Sequence, residues 1–341
     1  MKAVQIIQPG EVKVVDIPVP KIGPGEVLVK INFVGFCGSD LNTYSGKNPM
    51  VQLPVVPGHE ISAEIAETSE GVPEHIQPGM LCTVNPYTAC GQCPSCRNGR
   101  PNACRFNQTL GVQRHGAMAE WITVPWEKII PDRDSRLSKK AFALVEPLSV
   151  GFHAVSRAQV TDSDTVMVIG CGMIGLGALI RSVIRGARVI AVDVDGAKLA
   201  LAGQLGAAYT VCSKTEDVHA RLQDITNQAG PDVVIEAVGA PATYRMAVDE
   251  VAFTGRVVCI GYAKTEIAFE TKLFVQKEMD IRGSRNALPE DFRAVMEYLG
   301  RGACPEDALI SGIYPPEQAR EALEKWKSDP GKVFRILISF E

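Results

Sequence analysis

The segment that most restricts what this 341-residue chain can fold into is TVMVIGCGMIG, residues 165 to 175. A run of β-branched and apolar residues ends at Ile169, and Gly170-Cys171-Gly172-Met173-Ile174-Gly175 then opens an apolar helical stretch. Strand, glycine turn and helix in that order give the G-x-G-x-x-G arrangement that accepts a dinucleotide. The first glycine makes the tight turn, the second lets backbone approach a pyrophosphate, and the third lets helix pack on strand. The helix N-terminus then faces the phosphate charge. Alone the glycine pattern is weak. It gains weight from Asp193, 23 residues after Gly170 at the end of the next predicted strand, where a carboxylate can bond ribose hydroxyls. An acid there repels a 2′-phosphate, so NAD is expected rather than NADP. Asp195 falls past the strand end and is the lesser candidate.

The surroundings agree with that motif. Strand-like runs at Thr165–Gly170, Arg188–Asp193, Asp232–Glu236, Arg256–Gly261 and Met279–Gly283 alternate with helical stretches such as Gly196–Leu205 and Pro241–Val251. This alternation predicts a parallel, doubly wound α/β sheet with helices on both faces. Residues 1 to about 135 read differently. Short strands such as Glu26–Ile31 and Trp121–Val124 are separated by Gly and Pro turns, which predicts a β-rich unit. Ser138 is placed to cap a helix running through Ala141, and Pro147 should interrupt or kink it. Helices are also expected over Asp291–Leu299 and Pro316–Ser328, with a final strand in Lys332–Phe340.

A net charge of −4, from 35 basic and 39 acidic residues, leaves no basic footprint for nucleic acid. The longest apolar run, Thr165 to Ile180, is broken by four glycines and is too short to span a membrane. The first twenty residues alternate like a strand and carry no apolar leader core, so a cytoplasmic protein is expected. Ten cysteines in such a chain argue for metal rather than for disulfides.

Four of those cysteines lie in CGQCPSCRNGRPNAC, as Cys90, Cys93, Cys96 and Cys104. Four thiolates can surround one zinc ion tetrahedrally, and a closed set leaves no open position for a substrate. The metal expected here is structural; an iron–sulfur cluster is the competing use. Reactive metal needs three protein ligands and a vacancy. Cys37 at the end of a strand and His59-Glu60 after Pro57-Gly58 offer a thiolate, an imidazole and an acid. Glu146 is conspicuous because it sits among apolar residues, where a carboxylate is costly unless a cation or donor meets it.

At this point the chain resembles the zinc-dependent medium-chain alcohol and polyol dehydrogenases, close to the sorbitol dehydrogenase branch. The carriers are CGSD at Cys37–Asp40, GHE at Gly58–Glu60, the four-cysteine lobe (86–106), EPLSVG at Glu146–Gly151, GCGMIG and Asp193. Together they span essentially the whole chain. The resemblance implies a GroES-like catalytic domain from residues 1–149 and 286–341, with an NAD-binding Rossmann domain over 150–285 and the reaction in the cleft between them. It implies that Cys37, His59 and Glu146 bind a catalytic zinc, with Glu60 entering its coordination in some states and Glu146 binding through water in others. Two zinc ions per chain are expected, one catalytic and one structural. An open zinc position accepts a substrate hydroxyl and lowers its pKa, which prepares hydride transfer to nicotinamide. Ser39 would take or relay the hydroxyl proton, and Asp40 would support the zinc-bound imidazole. Lys198 matches the place where the family sets a cation near the adenosine ribose.

The chain also departs from the family. Asn42 stands where a titrating histidine ends the usual proton relay, and Ala63 and Ser69 replace expected glycines. Gly283-Ser-Arg285-Asn286-Ala resembles enzymes of hexonates such as L-galactonate and L-gulonate. Arg285 and Arg114 are therefore the candidate contacts for a substrate carboxylate. The expected reaction is NAD-linked oxidation of a secondary hydroxyl on such a sugar acid. A neutral polyol is the alternative substrate, and a non-catalytic NAD-binding zinc sensor is the alternative of another class. The resemblance also suggests a homodimer or homotetramer.

Overall fold

The computed structural model describes every residue except Arg133 and Ser135. Its strands, in chain order, are β1 (Lys2–Gln8), β2 (Glu11–Asp16), β3 (Glu26–Phe36), β4 (Glu60–Thr68), β5 (Leu81–Val84), β6 (Trp121–Pro125), β7 (Ile129–Pro131), β8 (Thr165–Ile169), β9 (Arg188–Asp193), β10 (Tyr209–Cys212), β11 (Val233–Glu236), β12 (Arg256–Cys259), β13 (Asp280–Gly283), β14 (Ile310–Tyr314) and β15 (Arg335–Ser339). They belong to two compact units, Met1–Glu146 with Leu288–Glu341, and Pro147–Ala287.

In the second unit, six parallel strands run in the order β10-β9-β8-β11-β12-β13. Chain order reverses on the two sides of β8, which makes a topological switch point at the carboxyl ends of β8 and β11. Alternate residues of the central strands, Met167 and Ile169 or Ile190 and Val192, pack with Leu222, Ala247 and Val251 into one of the unit's apolar clusters. Three elements were not anticipated from the sequence, the edge strand β10 and the helices Val218–Thr226 and Lys272–Gln276. Asp217 caps the first of these helices by accepting the Ala220 amide at 3.1 Å.

In the first unit, seven strands form a largely antiparallel sheet. β3 lies at its centre, pairing with β4, β6 and β15. Val27, Val29, Ile31, Val34 and Phe36 of β3 join Ile61, Ala63 and Ile65 of β4 in the core. Ser69, at a position where glycine was expected, exchanges two 3.0 Å bonds with the Glu26 backbone and ties the end of β4 to the start of β3.

The helix Lys139–Ala158 begins as expected, with Ser138 accepting the Ala141 amide at 3.1 Å. Pro147, however, neither ends nor splits it: the helix runs twenty residues straight through. An interior proline costs about 3 kcal/mol. Against that, Phe142, Leu144, Leu148 and Phe152 are all fully buried, each worth roughly 1.5–3 kcal/mol. Burial wins over local preference.

Candidate active site

Cys37 follows β3 directly and caps the seven-residue helix Gly38–Tyr44. The Cys37 amide donates to Asp40 Oδ2 at 2.8 Å, which fixes the start of that helix and the cysteine with it. The β3–β4 register pairs Gly35 with Glu60, so the sheet itself sets Cys37 beside His59 and Glu60. Gly35 has to be glycine here, because a Cβ would stand 2.2 Å from Glu60 Oε2.

The result is a cluster in which one donor atom each from Cys37, His59 and Glu60 lie within 4.8 Å of one another. His59 Nδ1, both Glu60 oxygens, Asp40 Oδ1 and Ser39 Oγ are buried without a hydrogen-bond partner. A thiol, an imidazole and an acid with unmet valences fit a zinc ion, and the set is not closed by a fourth protein thiolate. The electrostatics point the same way. Burial works against charge on His59, yet the Cys37 sulfur and the Glu146 and Asp40 carboxylates hold its pKa well above the ordinary value. Burial pushes the Glu60 carboxyl up to about 7 against the pull of Arg335. Excess negative charge in a dry pocket is what a divalent cation relieves.

Glu146 is buried, not an exposed helix residue. Its charge reaches His59, Glu60 and Tyr87. Its carboxylate is not in the tight group of Cys37, His59 and Glu60; instead Glu146 Oε1 accepts the Tyr87 hydroxyl. Burial and that carboxylate keep the Tyr87 pKa well above normal, so the tyrosine is a donor. Asp40 spends its bond on the Cys37 amide, and Asp40 Oδ1 makes none to the imidazole. Arg335 of β15 was not foreseen: its Nε lies 3.1 Å from Glu60 Oε2, and it donates to the Phe36 carbonyl at 2.7 Å. Tyr87 was missed as well. The available signals were an arginine opening an apolar strand and a tyrosine in the Asn85-Pro86-Tyr87 turn ahead of the first lobe cysteine.

The four lobe cysteines come together as expected, with their sulfurs mutually within 4.8 Å. Cys93 Sγ is 3.5 Å from Cys96 Sγ and 3.8 Å from Cys104 Sγ. A tetrahedral zinc with sulfurs at about 2.3 Å demands sulfur pairs roughly 3.8 Å apart. The Cys90, Cys93 and Phe106 amides point at cluster sulfurs at 3.3–3.4 Å, and the Ser95 hydroxyl lies 3.0 Å from Cys93 Sγ. The Ser95 bond leads in lowering the Cys93 pKa to about 5, which favours the thiolate a metal needs.

In the second unit, a Cβ on Gly175 would stand 1.7 Å from the Gly170 carbonyl, so only glycine lets this helix sit on β8. Gly172 is different: a Cβ there would meet no protein atom within 4 Å, and the space it leaves is open to a ligand. Met173 and Ile174 begin the helix Met173–Ile184. Asp193 closes β9, accepting the Cys171 amide at 2.7 Å and the Asp195 amide at 2.9 Å. Asp195 is instead the cap of the helix Gly196–Gln204, accepting from Ala197 and Lys198. Lys198 lies half-buried in the first turn of that helix. Arg285 follows β13. Arg114, in the first unit, is half-buried with its Nε unpartnered.

The alcohol dehydrogenase GroES-like domain model matches residues 23–134, and the zinc-binding dehydrogenase model matches residues 174–301. The L-galactonate-5-dehydrogenase of Escherichia coli K12 is 33% identical over 325 residues, 95% of this chain and 94% of that one. The chain belongs to the zinc-type medium-chain dehydrogenases. The dehydrogenase is also 31% identical to the sorbitol dehydrogenase of Bacillus subtilis, over 99% of this chain and 97% of that one. A solved alcohol dehydrogenase of Escherichia coli CFT073, in complex with NADH, matches 100% of this chain and 99% of its own with a TM-score of 0.91 at 26% identity. The dehydrogenase is accordingly an oxidoreductase of CH–OH donors, with a GroES-like domain and a Rossmann-type parallel sheet. Among its described residues no helix is long and apolar enough to cross a membrane.

Proposed function

We propose that this dehydrogenase oxidises a secondary hydroxyl of a sugar acid, a hexonate such as L-galactonate or L-gulonate, using NAD and a zinc ion held by Cys37, His59 and carboxylates from Glu60 and Glu146. The observation that carries the reading is the buried Cys37–His59–Glu60 cluster with its unmet donor atoms. When bound, zinc supplies the Lewis acidity that lowers a hydroxyl pKa, and NAD supplies the hydride acceptor.

The chain's own residues have distinct tasks. Cys37 and His59 are fixed by backbone, through the helix cap and the β3–β4 register. Ser39 Oγ is buried and uncommitted, so it is the group available to accept a substrate proton. Asn42 cannot titrate, and protons leave from Ser39 through water. Gly172 and Gly175 shape the pyrophosphate cradle, and Asp193 takes the ribose hydroxyls in preference to a 2′-phosphate. Arg114 and Arg285 are the cations offered to a substrate carboxylate. Similarity to the L-galactonate enzyme favours the acid, while similarity to sorbitol dehydrogenase keeps a neutral polyol as the second reading.

The test is an NADH-formation screen of the purified protein over hexonates, pentonates and polyols, with and without a zinc chelator. Turnover should be greatest with a hexonate, stop with the chelator and be lost in Glu146→Ala. Turnover confined to neutral polyols would replace the substrate class. Persistent inactivity with intact zinc would remove the reading.

A further inference from the structure

Glu236, the last residue of β11, is completely buried and takes no part in the chemistry assigned to Cys37, His59 and Asp193. Its Oε1 accepts the Val238 amide at 3.0 Å, the Gly239 amide at 2.8 Å and the Thr243 hydroxyl at 2.7 Å. Thr243 stands in the first turn of the helix Pro241–Glu250, whose N-terminus favours negative charge. The Glu236 carbonyl accepts the Ile260 amide at 2.9 Å and the Gly261 amide at 3.3 Å. One residue thus fastens the loop after β11 to the loop after β12. Its Oε2 is buried with no hydrogen-bond partner, so the carboxylate is kept there at a cost in stability.

These two loops close on the glycine turn. The Ala237 amide donates to the Ile169 carbonyl at 2.9 Å, and a Cβ on Gly170 would stand 2.6 Å from Val238 Cγ2. A Cβ on Gly261 would stand 2.2 Å from the Gly239 nitrogen, so the loops also touch each other. Val238 and Tyr262 nevertheless leave large apolar side chains 51% and 79% exposed on them. Strand order fixes which part of a dinucleotide they face. β9, with Asp193, lies on one side of β8, and β11 and β12 lie on the other. With the adenosine ribose at Asp193 and the pyrophosphate at Gly172, the nicotinamide half must cross β8 towards β11.

We propose that Glu236 is a positioning residue for the nicotinamide half of the cofactor site, holding the loops after β11 and β12 in the shape that receives it. The proposal rests on the dinucleotide reading of the preceding section. A carboxylate that served only its own turn would make the same bonds. The two cases differ in which half of the cofactor feels its loss.

The experiment is binding, without turnover, to the full-length protein. NADH is titrated by fluorescence, and ADP, which carries only the adenosine and pyrophosphate, by calorimetry. Glu236→Leu strands the Val238 and Gly239 amides and should weaken NADH binding about tenfold or more, with ADP binding as in wild type. Glu236→Gln still offers an oxygen to the three donors and should bind both ligands as wild type does. Thr243→Val removes one donor and keeps the carboxylate. It should fall between wild type and Glu236→Leu for NADH, again with ADP unchanged, and it decides the matter if Glu236→Leu does not fold. NADH binding unchanged in Thr243→Val, or in a folded Glu236→Leu, overturns the proposal. So does an equal loss of ADP and NADH, which would make the carboxylate a support for the whole unit, and so does Glu236→Gln behaving like Glu236→Leu. A wild-type protein that binds neither NADH nor ADP would remove the dinucleotide reading itself.

Discussion

Glu60 Oε2 lies 3.1 Å from Arg335 Nε, with the two side chains 0% and 5% exposed. A carboxylate that opens β4 and a guanidinium from the last strand thus meet where both are buried. Arg335 is held there by β15, whose Ile336 pairs with Phe36, and by its own bond to the Phe36 carbonyl. The same carboxylate belongs to the Cys37–His59–Glu60 cluster, so Glu60 has two possible counter-charges, a fixed arginine and a metal.

Removing that arginine should therefore be severe. Arg335→Met leaves a buried carboxylate uncompensated, and breaking such a pair costs about 3–5 kcal/mol. Urea unfolding of the chelator-treated protein should show a loss of that size. Adding Glu60→Gln should restore most of it, since no charge is then stranded. A double variant as unstable as Arg335→Met alone would mean that the arginine acts through packing.

The four-cysteine lobe should be a staple and not a reactive centre. Cys93→Ser removes one of the four thiolates, and metal analysis should fall from about two zinc ions per chain to about one. Thermal stability should fall with it, while the fraction that stays folded retains its chemical step. Full stability with only the chemical step lost would reverse the assignments of the two metals.

Asp193 should set the cofactor preference. Its carboxylate accepts the Cys171 amide of the glycine loop at 2.7 Å, and its charge should repel a 2′-phosphate bound beside that loop. Asp193→Ser should lower kcat/KM with NAD and raise it with NADP, shrinking the preference by about tenfold or more, on the order of 1.4 kcal/mol. An unchanged NAD to NADP ratio would move the ribose contact to another residue.

Much of this was legible because it is local. β9 begins and ends where its pattern does, since Val189 to Val192 are a compact apolar run, and the glycine loop announces itself within eleven residues. The cysteine lobe is equally local. The meeting of Cys37, His59 and Glu60 and the burial of Glu146 were readable through residue type and the resemblance. Arg335 and Tyr87 were not, because their partners lie 275 and 59 residues away, and only the sheet register and the helix Lys139–Ala158 bring them together. Pro147 does not interrupt its helix for the converse reason: a local preference is overridden by the burial of its neighbours. β10 and the helix Val218–Thr226 were hidden by weak patterns, an exposed edge strand and a helix whose turns carry His219, Arg221, Gln223 and Asp224.

That last helix carries a pH-dependent contact of defined sign. His219 Nδ1 lies 3.0 Å from Glu250 Oε2, at the far end of the helix Pro241–Glu250, and this bond leads in raising the His219 pKa above its ordinary value. A histidine whose folded pKa exceeds its unfolded one stabilises fully below the unfolded value, about 6.5. The contribution fades as pH rises through the higher folded value, because the proton is then lost from both states. The imidazole is largely exposed while the Glu250 side chain is mostly covered, so the effect is small and screened by salt. Comparing melting temperatures of wild type and His219→Gln from pH 5.5 to pH 8.5 should show wild type ahead at the acid end, with the gap closing as pH rises. The gap should narrow further in high salt. A difference that stays constant across pH, or that grows towards alkaline pH, would show that the imidazolium–carboxylate contact is not what joins these two helices.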